Sequence, residues 1–291
     1  MSAASVSPPA VGAVVIPLIG EGNLQGCLDD LRRLNIDYVI VGNKGSHALS
    51  AEQHAHWIES DAPVPLRRQL GVASITTDWI LIIEDSARLC GNWRAILESL
   101  DGFSRVDAIA GPIRLARTLN GRDIALACLE YGEFALPANG HAINRLRLPG
   151  LCIAYRRTAL TSLPTSQGIQ EPIAQASILA NHRGLLDHPD AEVEYSAVPP
   201  GAATWANRYA HGTIFAASVH QQRSLGRRLL SVFGAPLIAT VLAARAIRAW
   251  RRCGHGRRTA LPWIVVFACA WACGEAVGSM RPASARLASW R

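Results

Sequence analysis

The first 45 residues confine the chain to a small set of folds. Residues 11–18 form a short run rich in β-branched side chains and interrupted by Pro17. Leu24, Cys27, Leu28, Leu31 and Leu34 then recur at helical spacing. Tyr38 opens a second apolar run, closed by Gly42, Asn43 and Gly45. Strand, amphipathic helix and strand make a crossover unit. Parallel strands require such a crossover, because a tight turn joins only antiparallel ones.

The alternation continues. Residues 66–74 predict a helix, and residues 79–83 a very apolar strand that runs into Glu84 and Asp85. Asn92 is placed to cap a helix whose inward face is Trp93, Ile96, Leu97 and Leu100. Further along, 106–115 predict a strand interrupted at Gly111 and Pro112. Then 122–134 predict a helix, 151–155 a strand, 156–163 a helix start, 171–185 a helix, 191–197 a strand and 205–222 a helix. The expected fold is α/β, a mostly parallel sheet flanked by helices. Ligands of such sheets gather at the carboxyl ends of strands. Attention therefore falls on Gly20 and Glu21, on 42–46, and on 84–86.

The last 70 residues differ in kind. Two apolar stretches, 229–247 and 260–280, flank a loop holding Arg248, Arg251, Arg252, Arg257 and Arg258. From Arg223 onward stand 12 Arg and one acidic residue, Glu275, a charge of +11. The rest of the +7 chain therefore carries 17 basic and 21 acidic groups, or −4. Basic residues beside apolar stretches of bilayer length point to an anionic membrane and away from nucleic acid. The expected organisation is a body over 1–222 and two membrane helices, a hairpin with a basic loop, over 223–291. The excess of Arg assigns that loop to the cytoplasm. Either the hairpin is shallow, or the loop is translocated against its charge; both keep the body cytoplasmic. Residues 1–10 hold no basic residue, so no secretory signal is expected. Seven scattered cysteines without a Cys-x-x-Cys pair read as reduced thiols, with no zinc spacing. His54 and His56, two apart, make a poor metal pair. The lack of a Gly-x-Ser-x-Gly, Walker or Gly-x-Gly-x-x-Gly motif argues against hydrolase, P-loop and dinucleotide readings.

Glu84 and Asp85 close an apolar strand. Carboxylates there either hold Mg2+ or Mn2+ against substrate phosphates or cap the following helix. Arg67 and Arg68 either grip a diphosphate through bidentate hydrogen bonds or face solvent. Glu21 opens a helix whose amides can face a phosphate.

Taken in order, Pro17, Gly20, Glu21, Asn43, Arg68, Gly71, Asp78, Glu84-Asp85-Ser86 and Trp93 form a pattern that resembles the family 2 glycosyltransferases. Those enzymes have a GT-A nucleotide-sugar-binding fold. The likeness continues through Leu148-Pro149-Gly150, Ala154, Arg157, Leu160, Gly184, Trp205, Arg208 and Gly212. It reaches Trp271, Gly274, Glu275 and Gly278 in the tail, so degenerate motifs span nearly the whole chain. The resemblance implies a nucleotide-sugar donor, with Pro17, Glu21 and Asn43 at its base and ribose. It puts Glu84, Asp85 and Ser86 on the Asp-x-Asp position, holding Mg2+ or Mn2+ and the sugar diphosphate. Glu171 falls on the general base, and Arg208 on the acceptor side. The implied reaction is an inverting single displacement onto a lipid-linked or cell-surface polysaccharide acceptor. Three departures stand out: Ser86 in place of a carboxylate, Asn43 in place of an acid, and Glu171-Pro172 without a second acid. From a different class comes the alternative of a catalytically weakened nucleotide-sugar-binding or scaffold subunit of a polysaccharide assembly complex.

Overall fold

The computed structural model describes residues 11–19, 21–43, 57–135, 142–163, 168–199, 201–220, 225–254 and 257–280. In chain order the elements are β1 (Val11–Ile16), α1 (Glu21–Arg33), β2 (Asp37–Gly42), β3 (Trp57–Glu59), α2 (Val64–Ser74), β4 (Trp79–Glu84), β5 (Ala87–Leu89) and α3 (Trp93–Glu98). There follow β6 (Val106–Ala110), β7 (Ile113–Leu115), α4 (Gly121–Tyr131), β8 (Ile143–Asn144), β9 (Cys152–Arg156), α5 (Arg157–Thr161), α6 (Glu171–Ala180), β10 (Gly184–Asp187) and β11 (Val193–Tyr195). The last are α7 (Trp205–His220), α8 (Leu225–Phe233), α9 (Ala235–Arg252) and α10 (Ala260–Met280).

The most apolar strand takes the centre of the sheet. In β4, Trp79, Ile80, Leu81, Ile82 and Ile83 are all buried. Each such side chain contributes about 1.5–3 kcal/mol by leaving water. The order is β3-β2-β1-β4-β9-β6-β10-β8, with a smaller sheet β5-β11-β7. The first four strands are parallel, as the crossover unit requires. Strands β9 and β8 run antiparallel to their neighbours, while β6 and β10 pair in parallel, so six of the eight strands run one way and the sheet is mostly parallel, as expected. Asn92 caps α3 by accepting from the Ala95 amide, and the inward face of α3 is buried as expected.

Two compact units emerge: Met1–Arg114 with Ala138–Tyr195, and Leu115–Pro137 with Ser196–Arg291. The first holds the large sheet. Its helix α2 comes close to β1 because residue 71 is glycine; a Cβ there would overlap Val14 Cγ1. The second is helical. There α7 and α10 touch backbone to backbone. A Cβ at Gly212, Gly274 or Gly278 would overlap the carbonyl oxygen of Trp271, Tyr209 or Thr213.

Two expectations are corrected. The stretch 229–247 is not one membrane helix. Leu225–Phe233 ends before Gly234, and Ala235–Arg252 starts afresh with Pro236 in its first turn, where the missing amide costs nothing. Among the described residues one helix, Ala260–Met280, is long and apolar enough to cross a bilayer, not two. The helix expected over 171–185 stops at Ala180. His182 takes a left-handed φ of 57°, and Gly184–Asp187 becomes a strand beside β6.

Candidate functional site

Strands β1 and β4 are parallel and in register, with Ile16 opposite Glu84, so their carboxyl ends open at one level. Asp85, wholly buried, turns its carboxylate onto the β1–α1 turn. Its Oδ1 accepts from the Leu18 amide at 2.7 Å and the Ile19 amide at 3.2 Å, and its Oδ2 accepts from Ile19 at 2.9 Å. Its own amide donates to the Ile16 carbonyl at 3.2 Å. Hydrogen bonds to an ionised acceptor are the stronger kind. Asp85 thereby latches the turn that follows Pro17.

Glu84 points elsewhere. Its Oε1 accepts from Arg68 Nη2 at 3.1 Å, and Glu171 Oε1 lies 2.5 Å from the same nitrogen. Arg68 comes from α2, placed by the close approach at Gly71, and is 7% exposed. Glu171 is the first residue of α6, where the helix dipole favours an acid. One buried guanidinium thus joins two carboxylates of which 15% and 23% remain open to solvent. Ser86, also buried, offers Oγ to Glu84 Oε2 at a long 3.5 Å. The segment 148–150 passes directly over Glu171. A Cβ at Gly150 would overlap Glu171 Oε2. Gln175 pins that segment, accepting from the Leu148 amide at 3.0 Å and donating to the Leu148 carbonyl at 3.1 Å. Beneath them burial pushes the Tyr155 phenol up, and the charge of Glu171 adds to the shift.

The remaining expected residues distribute as follows. Pro17 is buried against Gly42, where a Cβ would press on its ring. Asn43 is exposed and donates through Nδ2 to Asp61. Glu21 opens α1, but its side chain, like Gly20 and 44–56 with His54 and His56, lies outside the described residues. Arg208 belongs to the second unit. It is 5% exposed, donates to Glu130 Oε1 at 2.5 Å and stacks 4.7 Å above the Trp271 ring. Burial raises the Glu130 carboxyl while Arg208 pulls it back. Burial and then the Arg208 charge push His211 down to about 4.

The donor set does not fit a divalent cation as it stands. Both Asp85 oxygens are held by backbone amides, Glu84 faces a guanidinium, and the third position is a hydroxyl. Among the described residues no three of His, Cys, Asp and Glu gather in a metal-binding arrangement. Hard cations need several free oxygens at once.

No family model and no curated protein matches the chain. Solved structures similar to it include the mannosyltransferase PcManGT from Pyrobaculum calidifontis in complex with GDP-Man and Mn2+. There the identity is 15%, covering 92% of this chain and 76% of that one, with a TM-score of 0.45. GalNAc-T7 with UDP, GalNAc and Mn2+ is 12% identical over 75% of this chain and 52% of its own, TM-score 0.48. S. aureus TarS 1–349 in complex with UDP-GlcNAc is 9% identical over 87% and 89%, TM-score 0.46. None of these likenesses assigns a role to a residue of this chain.

Sequence reasoning paired Glu84 with Asp85 and missed that they face different partners. Adjacent residues at a strand end point to opposite sides, a signal that was available. The link from Arg68 to Glu171, across 103 positions, left no local trace. Gly150 was visible as a motif residue, but its contact with Glu171 was not.

Proposed function

We propose that the chain is an inverting glycosyltransferase that moves a sugar from a nucleoside diphosphate donor to a lipid-linked or cell-surface polysaccharide acceptor. The observation that carries this reading is the Arg68–Glu84–Glu171 cluster beside the carboxyl ends of β1 and β4. The turn latched by Asp85, with Pro17, Glu21 and Asn43, receives the base and ribose. Glu171 removes the proton of the acceptor hydroxyl. The hydroxyl oxygen bonds to the anomeric carbon as the carbon–phosphate oxygen bond breaks, and the electron pair leaves with the diphosphate. Arg68 orients Glu171 and supplies fixed positive charge near the leaving group. Arg208 belongs on the acceptor side only if it leaves Glu130. Mg2+ or Mn2+ enters this reading only if Arg68 releases Glu84. Calorimetric titration of Mn2+ into wild type and Glu84→Ala decides that point, because identical isotherms remove the ion from Glu84.

Residues 223–291 supply attachment to an anionic membrane, with the body 1–222 on the cytoplasmic side. The chemistry is tested with detergent-purified full-length protein and a panel of nucleotide sugars. Donor hydrolysis or transfer that is lost in Glu171→Gln is expected. Donor binding without turnover would favour the scaffold reading, which the short Arg68–Glu171 contact supports, since it occupies a carboxylate oxygen that a base would present to the acceptor. No binding of any donor sinks both.

A further inference from the structure

Helix α10 has two unlike faces, although nearly all its residues are apolar. Ala260, Ile264, Phe267, Ala268, Ala272, Gly274, Glu275 and Gly278 are buried, against α7, α4 and α9 in the same unit. Among the described residues nothing buries the other side. Pro262, Val266, Cys269, Cys273 and Met280 are all exposed, at steps of four, three, four and seven residues. Those steps keep them on one stripe of a helix. Trp263 and Val265 flank the stripe, exposed by 39% and 49%. No residue of the stripe is charged. Isolated apolar residues on a surface need no explanation, but a stripe running from Pro262 to Met280, roughly 27 Å at 1.5 Å per residue, does.

Two observations choose the occupant. Exposed arginines stand at the start of the stripe: Arg251 and Arg252 close α9, and Arg257 and Arg258 precede α10. They match anionic headgroups in charge, and Trp263 suits the boundary between headgroups and chains. The buried face carries the unit's charged cluster. Arg208 stacks on Trp271, pairs with Glu130 on α4, and Trp271 Nε1 donates to Glu275 at 3.2 Å. Residues 271–275 fall near the middle of α10. A helix crossing the bilayer would carry Arg208, Glu130 and Glu275 to the hydrocarbon centre, where charge is most costly.

We propose that α10 lies in the plane of an anionic lipid surface, its exposed stripe in the headgroup–acyl boundary and its opposite face on protein. The amphipathic helix α8 and the start of α9 add exposed Leu230, Phe233 and Leu237 to the apolar surface of this unit. The inference rests on the membrane attachment proposed above and not on the transfer chemistry.

The test uses the full chain with vesicles of phosphatidylcholine containing 30% phosphatidylglycerol. Flotation with these vesicles, weaker with pure phosphatidylcholine and weakened by 1 M salt, is expected. Val266→Glu with Cys273→Glu lowers the bound fraction at least tenfold, while circular dichroism stays unchanged. Fluorophores placed singly at residues 262, 266, 269, 273 and 280 are then read with lipids quenched at known depths. One common shallow depth is the expected result. A profile that deepens toward residue 270 and rises again means a spanning helix and overturns the in-plane arrangement, leaving membrane attachment intact. Protein that stays in the dense fraction, as a monomer or covered by a second copy, overturns attachment and the inference together.

Discussion

Arg68 in the first unit and Arg208 in the second are both buried, and they are neutralised differently. Arg208 meets one carboxylate and the face of an indole, a pair without net charge that also glues α7 to α4 and α10. Arg68 meets two carboxylates through one nitrogen, Glu84 of β4 and Glu171 of α6. A neutral pair is a packing solution. Two carboxylates gathered on one cation bring no packing gain, and ionisable groups clustered in this way concentrate where ligands bind or protons move. The contrast distinguishes a structural arginine from one proposed to organise chemistry.

The sharpest way to break the contrast is Glu171→Gln. Transfer should fall by about 10²–10⁴-fold in initial-rate assays, with donor affinity nearly unchanged. An unaltered rate removes Glu171 from the reaction. Gly150→Ala should act through the same group. The added methyl displaces the Glu171 carboxylate, and a displacement of about 1 Å costs roughly a hundredfold in rate. Thermal unfolding should hardly move, and a large stability loss with normal rates would show that the glycine serves folding alone.

The structural arginine predicts the reverse pattern. Arg208→Ala should destabilise the protein by about 2–3 kcal/mol in denaturant titrations, because Glu130 is left without its partner. The figure is held to the low end since Glu130 keeps 26% of its side chain exposed. Adding Glu130→Gln should recover part of the loss; no recovery would mean that the indole contact, and not the ion pair, carries it. The smallest effect concerns His211. Its folded value is pushed down to about 4 from 6.5. Its contribution is therefore fully present above pH 6.5 and is lost as pH falls toward 4. Between pH 7 and 5.5 that amounts to about 1 kcal/mol, and His211→Phe should flatten this part of the stability profile.

Much of the fold was legible. The run 79–83 announced a strand because every residue in it is apolar, and Asn92 announced a helix start through its side-chain oxygen. The helix expected over 171–185 hid a strand, since Leu185 and Leu186 continue an apolar pattern and only the left-handed turn at His182 ends the helix. The site was half legible. Strand ends can be found from sequence, so Glu84 and Asp85 were found. Their division of labour was not, because Asp85 is claimed by amides 66 and 67 residues earlier and Glu84 by a helix.

By itself the sequence determined the alternation of strands and helices, the apolar interior of β4, and a basic tail with enough apolar residues to need cover. These are local properties, written in spacing and composition. Only the tertiary structure decided which charges share a space, and which side of α10 is covered by protein. Ion pairs form between residues far apart in the chain, and a uniformly apolar helix has no periodicity to mark the face that its neighbours will bury.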